Sequence, residues 1–162
     1  MNEYYLKHID QLNHVNKQKR LDSLEKLVEG LKNQDLLTPK ATGKDVNNHI
    51  HTRYSFSPYS PTKSLWMAYV SGLTTAGIMD HDSVAGAKEF IEAGKIMGMA
   101  TTVGMEIRVS MEKTPLNGKK INNPDQDSVI YMAMHGIPHH QLDKAQAFIR
   151  PYAEKRNQRN QK

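Results

Sequence analysis

The stretch Asn47-Asn48-His49-Ile50-His51-Thr52 places two histidines two residues apart, after a short run that can extend. Side chains alternate faces along a β-strand, so His49 and His51 share a face and can share a metal ion. Three later stretches repeat the pattern of an apolar run followed by a ligand-type residue. They end in Asp80-His81, in Glu106 and in His135. The chain has no cysteine, so any metal here must be held by imidazole and carboxylate, a donor set that suits Zn, Mn or Fe better than Ca. A carboxylate such as Glu106 can bridge two ions. Two ions about 3.5–4 Å apart can hold a hydroxide nucleophile and clamp the oxygens of a phosphoryl group during an in-line displacement. Each residue also has a plainer reading. His49 and His51 can be a surface pair on an edge strand, and Asp80-His81 a helix-capping turn. Glu106 can be half of a salt bridge, and His135 a core histidine bonded to a backbone carbonyl.

The elements that must position these residues are legible from periodicity. Residues 3–31 carry apolar positions at helix spacing, with a polar gap over 13–20, which predicts two helices or one with a weak middle. His8 and His14 lie there, away from any strand end, and read as ordinary helix-face histidines. Residues 38–44 have linker composition. A first strand is predicted over 45–51, then a Ser/Pro loop, and a helix from Pro61 or Thr62 to Val70 closed by Gly72. A second strand, Ala76 to Met79, precedes a helix over 84–97, N-capped by Asp82 or Ser83 and ended by Gly98. A third strand covers 100–109 and a fourth 128–134, separated by a loop over 113–126. The last helix runs from about 139 to 157, opened by Pro138 and interrupted by Pro151. Alternating strands and helices predict a parallel sheet, and in such sheets the site lies at the carboxyl ends of the strands. Every candidate ligand above falls there.

Composition narrows the class. A chain of 162 residues, 38% hydrophobic, fits one domain and contains no apolar run long enough for a transmembrane helix. The N-terminus has no secretory pattern, so the expected location is cytoplasmic and no membrane partner is expected. The net charge of +5 is concentrated in residues 143–162, which hold six basic and two acidic residues. That placement reads as a solvated helix end rather than a nucleic-acid surface.

Taken together, the run from about 47 to 110, with His135 beyond it, resembles the PHP family (polymerase and histidinol phosphatase domain), and most of all its phosphoesterase-type bacterial members. The resemblance rests on His49-Ile50-His51-Thr52 with Ser55 following, on residues 77–84 (Gly-Ile-Met-Asp-His-Asp-Ser-Val), and on Gly104-Met105-Glu106. It covers a little over half the chain, and residues 1–44 carry no motif of the family. It implies a distorted (β/α)7 TIM-like barrel with a site for two or three divalent ions that hydrolyses phosphoesters. His49 and His51 match the first ligand pair, His81 the histidine of the second motif, Glu106 the bridging carboxylate, and His135 a histidine on the next strand. Asp80, beside a ligand, matches a residue that orients the others and shares the catalytic role with Glu106. Two departures stand out. Residues 52–61 hold neither Asp nor His where many members place a ligand for a third ion, so two ions are expected. No Asp-x-His follows His135, which leaves His139, His140 and Asp143 as replacements.

The resulting expectation is an α/β protein, a partial (β/α)7 barrel of about four parallel strands. Residues 1–44 form a helical leader and linker, and residues 45–162 the N-terminal portion of the PHP domain. Its function is a metal-dependent phosphoesterase in which metal-bound hydroxide attacks a small phosphorylated substrate. Two other readings stay open: a non-catalytic or truncated metal-binding module, and a PHP nuclease acting on nucleic acid. Four parallel strands cannot close a barrel, so self-association through open sheet edges and weak activity of this chain alone are expected. The residues do not name the substrate.

Overall fold

The computed structural model describes residues 3–33 and 44–160. Helices α1 (Glu3–Gln11) and α2 (Lys17–Asn33) come first, then β1 (Val46–Ile50), α3 (Pro61–Val70), β2 (Thr75–His81) and α4 (Ala87–Met97). The long strand β3 (Ala100–Ser110), β4 (Val129–His135), a 3₁₀ turn at His139–Gln141 and α5 (Leu142–Asn160) complete the chain. The leader is thus two helices. Its polar gap becomes a tight corner, in which Leu12, Asn13 and His14 donate back to the carbonyls of Ile9, Asp10 and Gln11. Of the linker expected at 38–44, residues 38–43 lie outside the described residues.

The sheet has the order β1-β2-β3-β4 and curls. β1 and β3 both pair in parallel with β2, joined by the α3 and α4 crossovers. β4 does not follow them: it pairs antiparallel to β3, from Gly104 opposite His135 to Ser110 opposite Val129. The expected set of parallel strands is therefore corrected to three plus one reversed. The physical reason lies in the connection. A parallel return needs a crossover, usually a helix, and residues 111–128 form turns with no helix to lay across the sheet. The continuous apolarity of 128–134 also misleads, because β4 grows more exposed along its length and leaves Met132 and Met134 over 40% exposed.

Helices cover one face of the sheet. Leu12, Leu24, Leu27, Leu65, Ile78, Phe90, Val103 and Met105 join in one core that runs from the leader through α3 and α4 to the strands. Fully burying a side chain of this size stabilises by about 1.5–3 kcal/mol. α3 begins as its sequence dictates, with Pro61 in the first turn and Ser60 accepting from the Lys63 N–H. α4 begins later than expected. Its N-cap is Gly86, not Asp82 or Ser83, because Asp82 sits at a φ of +49° and Val84 is buried in the turn before the helix. α5 continues through Pro151, where an interruption was expected. Among the described residues, no helix is long and apolar enough to cross a membrane.

Candidate metal centre

β1 carries one extra residue against β2. Pairing passes from Asn47–Ala76 to Ile50–Ile78, which is a bulge around Asn48 and His49. The close approach there depends on Gly77, where a Cβ would lie 2.7 Å from the Asn48 Cα. The bulge still leaves the His49 and His51 rings side by side, with centroids 5.0 Å apart. On the neighbouring strands, register sets His81 directly opposite Glu106. Three imidazoles from two elements therefore converge on one carboxylate. Glu106 Oε2 lies 3.0 Å from His49 Nε2, 3.7 Å from His51 Nε2 and 3.9 Å from His81 Nε2.

A second group of residues holds this one from below. Asp80 is fully buried. Its Oδ1 accepts from the Thr52 N–H at 2.6 Å and the Ser55 hydroxyl at 2.7 Å, and its Oδ2 accepts from the Thr52 hydroxyl at 2.7 Å. Ser55 Oγ also lies 3.3 Å from His51 Nδ1. A hydroxyl has one proton, and here it goes to Asp80, so the imidazole must be the donor in its contact with Ser55. That places the His51 proton on Nδ1 and leaves the Nε2 lone pair facing Glu106. Burial, followed by the charges of His81 and His49, holds the His51 pKa below its ordinary 6.5 against the opposing pull of Glu106 and Asp80. Below 6.5 means neutral near pH 7, which is the form that ligates a metal.

The donor set fits a divalent ion. The ligand atoms of His49, His51 and Glu106 all lie within 4.8 Å of one another, and two of these residues are half-buried. His81 stacks on His51 at 5.0 Å and 17° and points Nε2 at the same oxygen. His135 arrives by a route other than the one expected. It stands on an antiparallel strand opposite Gly104, and Glu106 lies within β3 rather than at its carboxyl end. Its ring is 6.4 Å from His49, beside the group but outside the three residues that could share one ion. The proposed replacements do not enter the group. His139 and His140 lie in the exposed 3₁₀ turn, and Asp143 bonds Lys88 of α4 at 2.7 Å.

Sequence reading missed the walls of the site. Phe56, 70% exposed, packs against His51 at 4.3 Å and His81 at 5.3 Å between ring centroids. Tyr131 meets His81 edge-on at 5.6 Å and lies under Arg108, whose Cζ is 5.2 Å from its ring. The available signal was the alternation of Glu106 and Arg108 on β3, but it is readable only once β4 is known to lie alongside.

No family model matches the chain. A 5'-3' exoribonuclease of Haemophilus influenzae is 33% identical over 69 residues, which are 43% of this chain and 25% of that protein. The crystal structure of a candidate metal-dependent phosphoesterase from Bifidobacterium adolescentis aligns with a TM-score of 0.44 and 24% identity, over 56% of this chain and 27% of that one. The chain thus spans about a quarter of the length of each of these proteins.

Proposed function

We propose that this protein is a metal-dependent phosphoester hydrolase of the PHP type. The observation that carries the reading is the convergence of three imidazole Nε2 atoms on Glu106 Oε2, with the far side of His51 committed to Ser55 and Asp80. His49, His51 and Glu106 would hold the first ion, and His81 and His135 stand where they can contribute to a second. Bound Mn, Zn or Fe would supply Lewis acidity toward the phosphoryl oxygens and lower the pKa of water. Asp80 acts through the ligands: it fixes the 51–55 turn and the tautomer of His51. Phe56 and Tyr131 flank the stacked histidines. The substrate is a phosphate ester reached from the open end of the sheet.

Two measurements test this. Purified protein should contain Mn, Zn or Fe, and the double variant His49→Ala/His51→Ala should lose most of it by elemental analysis. Hydrolysis of an aryl phosphate with added Mn should disappear in Glu106→Gln. Equal metal in wild type and double variant removes the site. Full metal without turnover leaves a binding module. The match to an exoribonuclease favours a second reading, a nuclease acting on nucleic acid, and its test is salt-dependent binding of single-stranded RNA, since phosphate contacts weaken steeply with salt. Self-association through sheet edges is read by sedimentation of the same samples.

A further inference from the structure

Arg108 stands two residues beyond Glu106 on β3, so both side chains leave the same face, about 6.6 Å apart along the strand. Its cross-strand partner is Tyr131, and the guanidinium lies over that ring. The platform is fixed. Asn122 takes both edge groups of Tyr131, donating to its carbonyl and accepting from its N–H at 2.9 Å each. Arg108, Tyr131, Phe56, His81 and Arg53 all line a cavity of about 770 Å³ that opens beside the metal centre. Asp82 also lines it, on the side that follows β2.

The two cavity arginines are used differently. Arg53 is committed, with Nη2 donating to the backbone and side-chain oxygens of Asn13 at 2.7 Å each. Among the described residues, Arg108 has no carboxylate within ion-pair distance and no hydrogen-bond acceptor; its guanidinium lies over the face of Tyr131. Stacking on a ring occupies the flat of the guanidinium and leaves its N–H edge facing outward, where it can grip a planar or tetrahedral oxyanion.

We propose that Arg108, held on Tyr131, is an anion subsite that makes this protein prefer phosphoesters bearing a second anionic group beside the scissile one. The proposal rests on the phosphoesterase reading above. Cross-strand stacking carries the guanidinium sideways over Tyr131 rather than back toward Glu106, which separates the second anion from the reacting one.

The test compares propyl phosphate with propane-1,3-diyl bisphosphate, reading released phosphate with Mn present. The bisphosphate should have the higher kcat/KM, and Arg108→Gln should lower the ratio of the two kcat/KM values about tenfold through the KM of the bisphosphate. Arg108→Lys should restore part of the ratio, since it returns the charge without the fork. A ratio unchanged in Arg108→Gln overturns the proposal, as does a loss carried by kcat, which would place Arg108 on the reacting group. Calorimetric binding of the bisphosphate to chelator-treated protein gives an arm independent of turnover. There Arg108→Gln should again weaken binding about tenfold and flatten its salt dependence. If neither ester is hydrolysed but this binding difference appears, the phosphoesterase reading fails and the anion subsite stands. If binding is equal in wild type and variant, the subsite fails.

Discussion

Two charged clusters in this molecule are built in opposite ways. Between the leader and α4, Arg20 and Glu89 face each other with side chains 4% exposed, and their polar atoms are taken. Glu89 also accepts from the N–H and hydroxyl of Thr62, while Arg20 Nη1 donates to the carbonyls of His14 and Val15. At the open end of the sheet, Glu106 meets three imidazoles but, among the described residues, no lysine or arginine. Each cluster gathers residues distant in sequence. The first leaves nothing for a ligand to do and can only hold α2, α3 and α4 together. The second brings lone pairs together with no resident cation among them, which is what a divalent ion would complete.

The comparison is broken most severely at the closed cluster. Arg20→Met leaves Glu89 as a buried charge without its partner and should cost about 3–5 kcal/mol. Chemical denaturation should show the loss, with metal content per folded molecule unchanged. A loss below about 1 kcal/mol would mean that water reaches Glu89 and that the cluster is not closed. Asp80→Asn is intermediate, because Asp80 belongs to both worlds: it is buried, and it acts on a ligand. One of its oxygens becomes a donor facing Thr52 or Ser55, at a cost of about 1–3 kcal/mol. Metal affinity should fall about 10–100-fold through His51. Titration of metal into both proteins reads the second effect, and an unchanged affinity would confine Asp80 to the fold.

The open cluster should respond in the reverse sense. Glu106→Gln removes a carboxylate that is 16% exposed and, among the described residues, paired with histidines alone. In metal-free protein it should change stability by less than about 1 kcal/mol. Metal retention should collapse. The two effects are separated by denaturation with and without chelator: wild type should lose stability on chelation, and Glu106→Gln should not.

The sequence made the open cluster legible and hid the closed one. His49 and His51 stand two residues apart, Asp80-His81 and Glu106 each follow an apolar run, and such patterns are local. The Arg20–Glu89 pair spans 69 positions and leaves no mark in either helix beyond an ordinary charge. The order of strands and helices through β3 follows from periodicity, whereas the reversal of β4 was decided by what the 111–128 segment lacks. His135 shows the consequence. It was placed near the site on an argument from parallel strand ends that does not apply to it, and register with Gly104 brings it there instead. The sheet edge is a similar case. The expectation of open sheet edges came from counting four strands, too few to close a barrel, and a count could not reveal that Asn122, in the loop before β4, bonds both backbone groups of Tyr131.

The smallest effect belongs to a histidine in neither cluster. His8 on α1 packs edge-on against Tyr4 at 4.5 Å, and its Nδ1 is buried without a hydrogen-bond partner. Burial first, then the positive charges of Lys26 and Lys7, push its pKa below the ordinary 6.5. A depressed histidine pKa means that the unfolded chain binds more protons than the folded one between the two values. Stability therefore falls as pH drops through 6.5, and the loss levels off once pH is below the folded-state value. His51 is held below 6.5 as well, so wild type alone cannot isolate this effect. His8→Phe keeps a ring against Tyr4 and removes the titration. The difference in unfolding free energy between wild type and His8→Phe should be flat above pH 7 and move against wild type on acidification to pH 5. A difference that stays constant over that range would show that the His8 proton is not linked to folding.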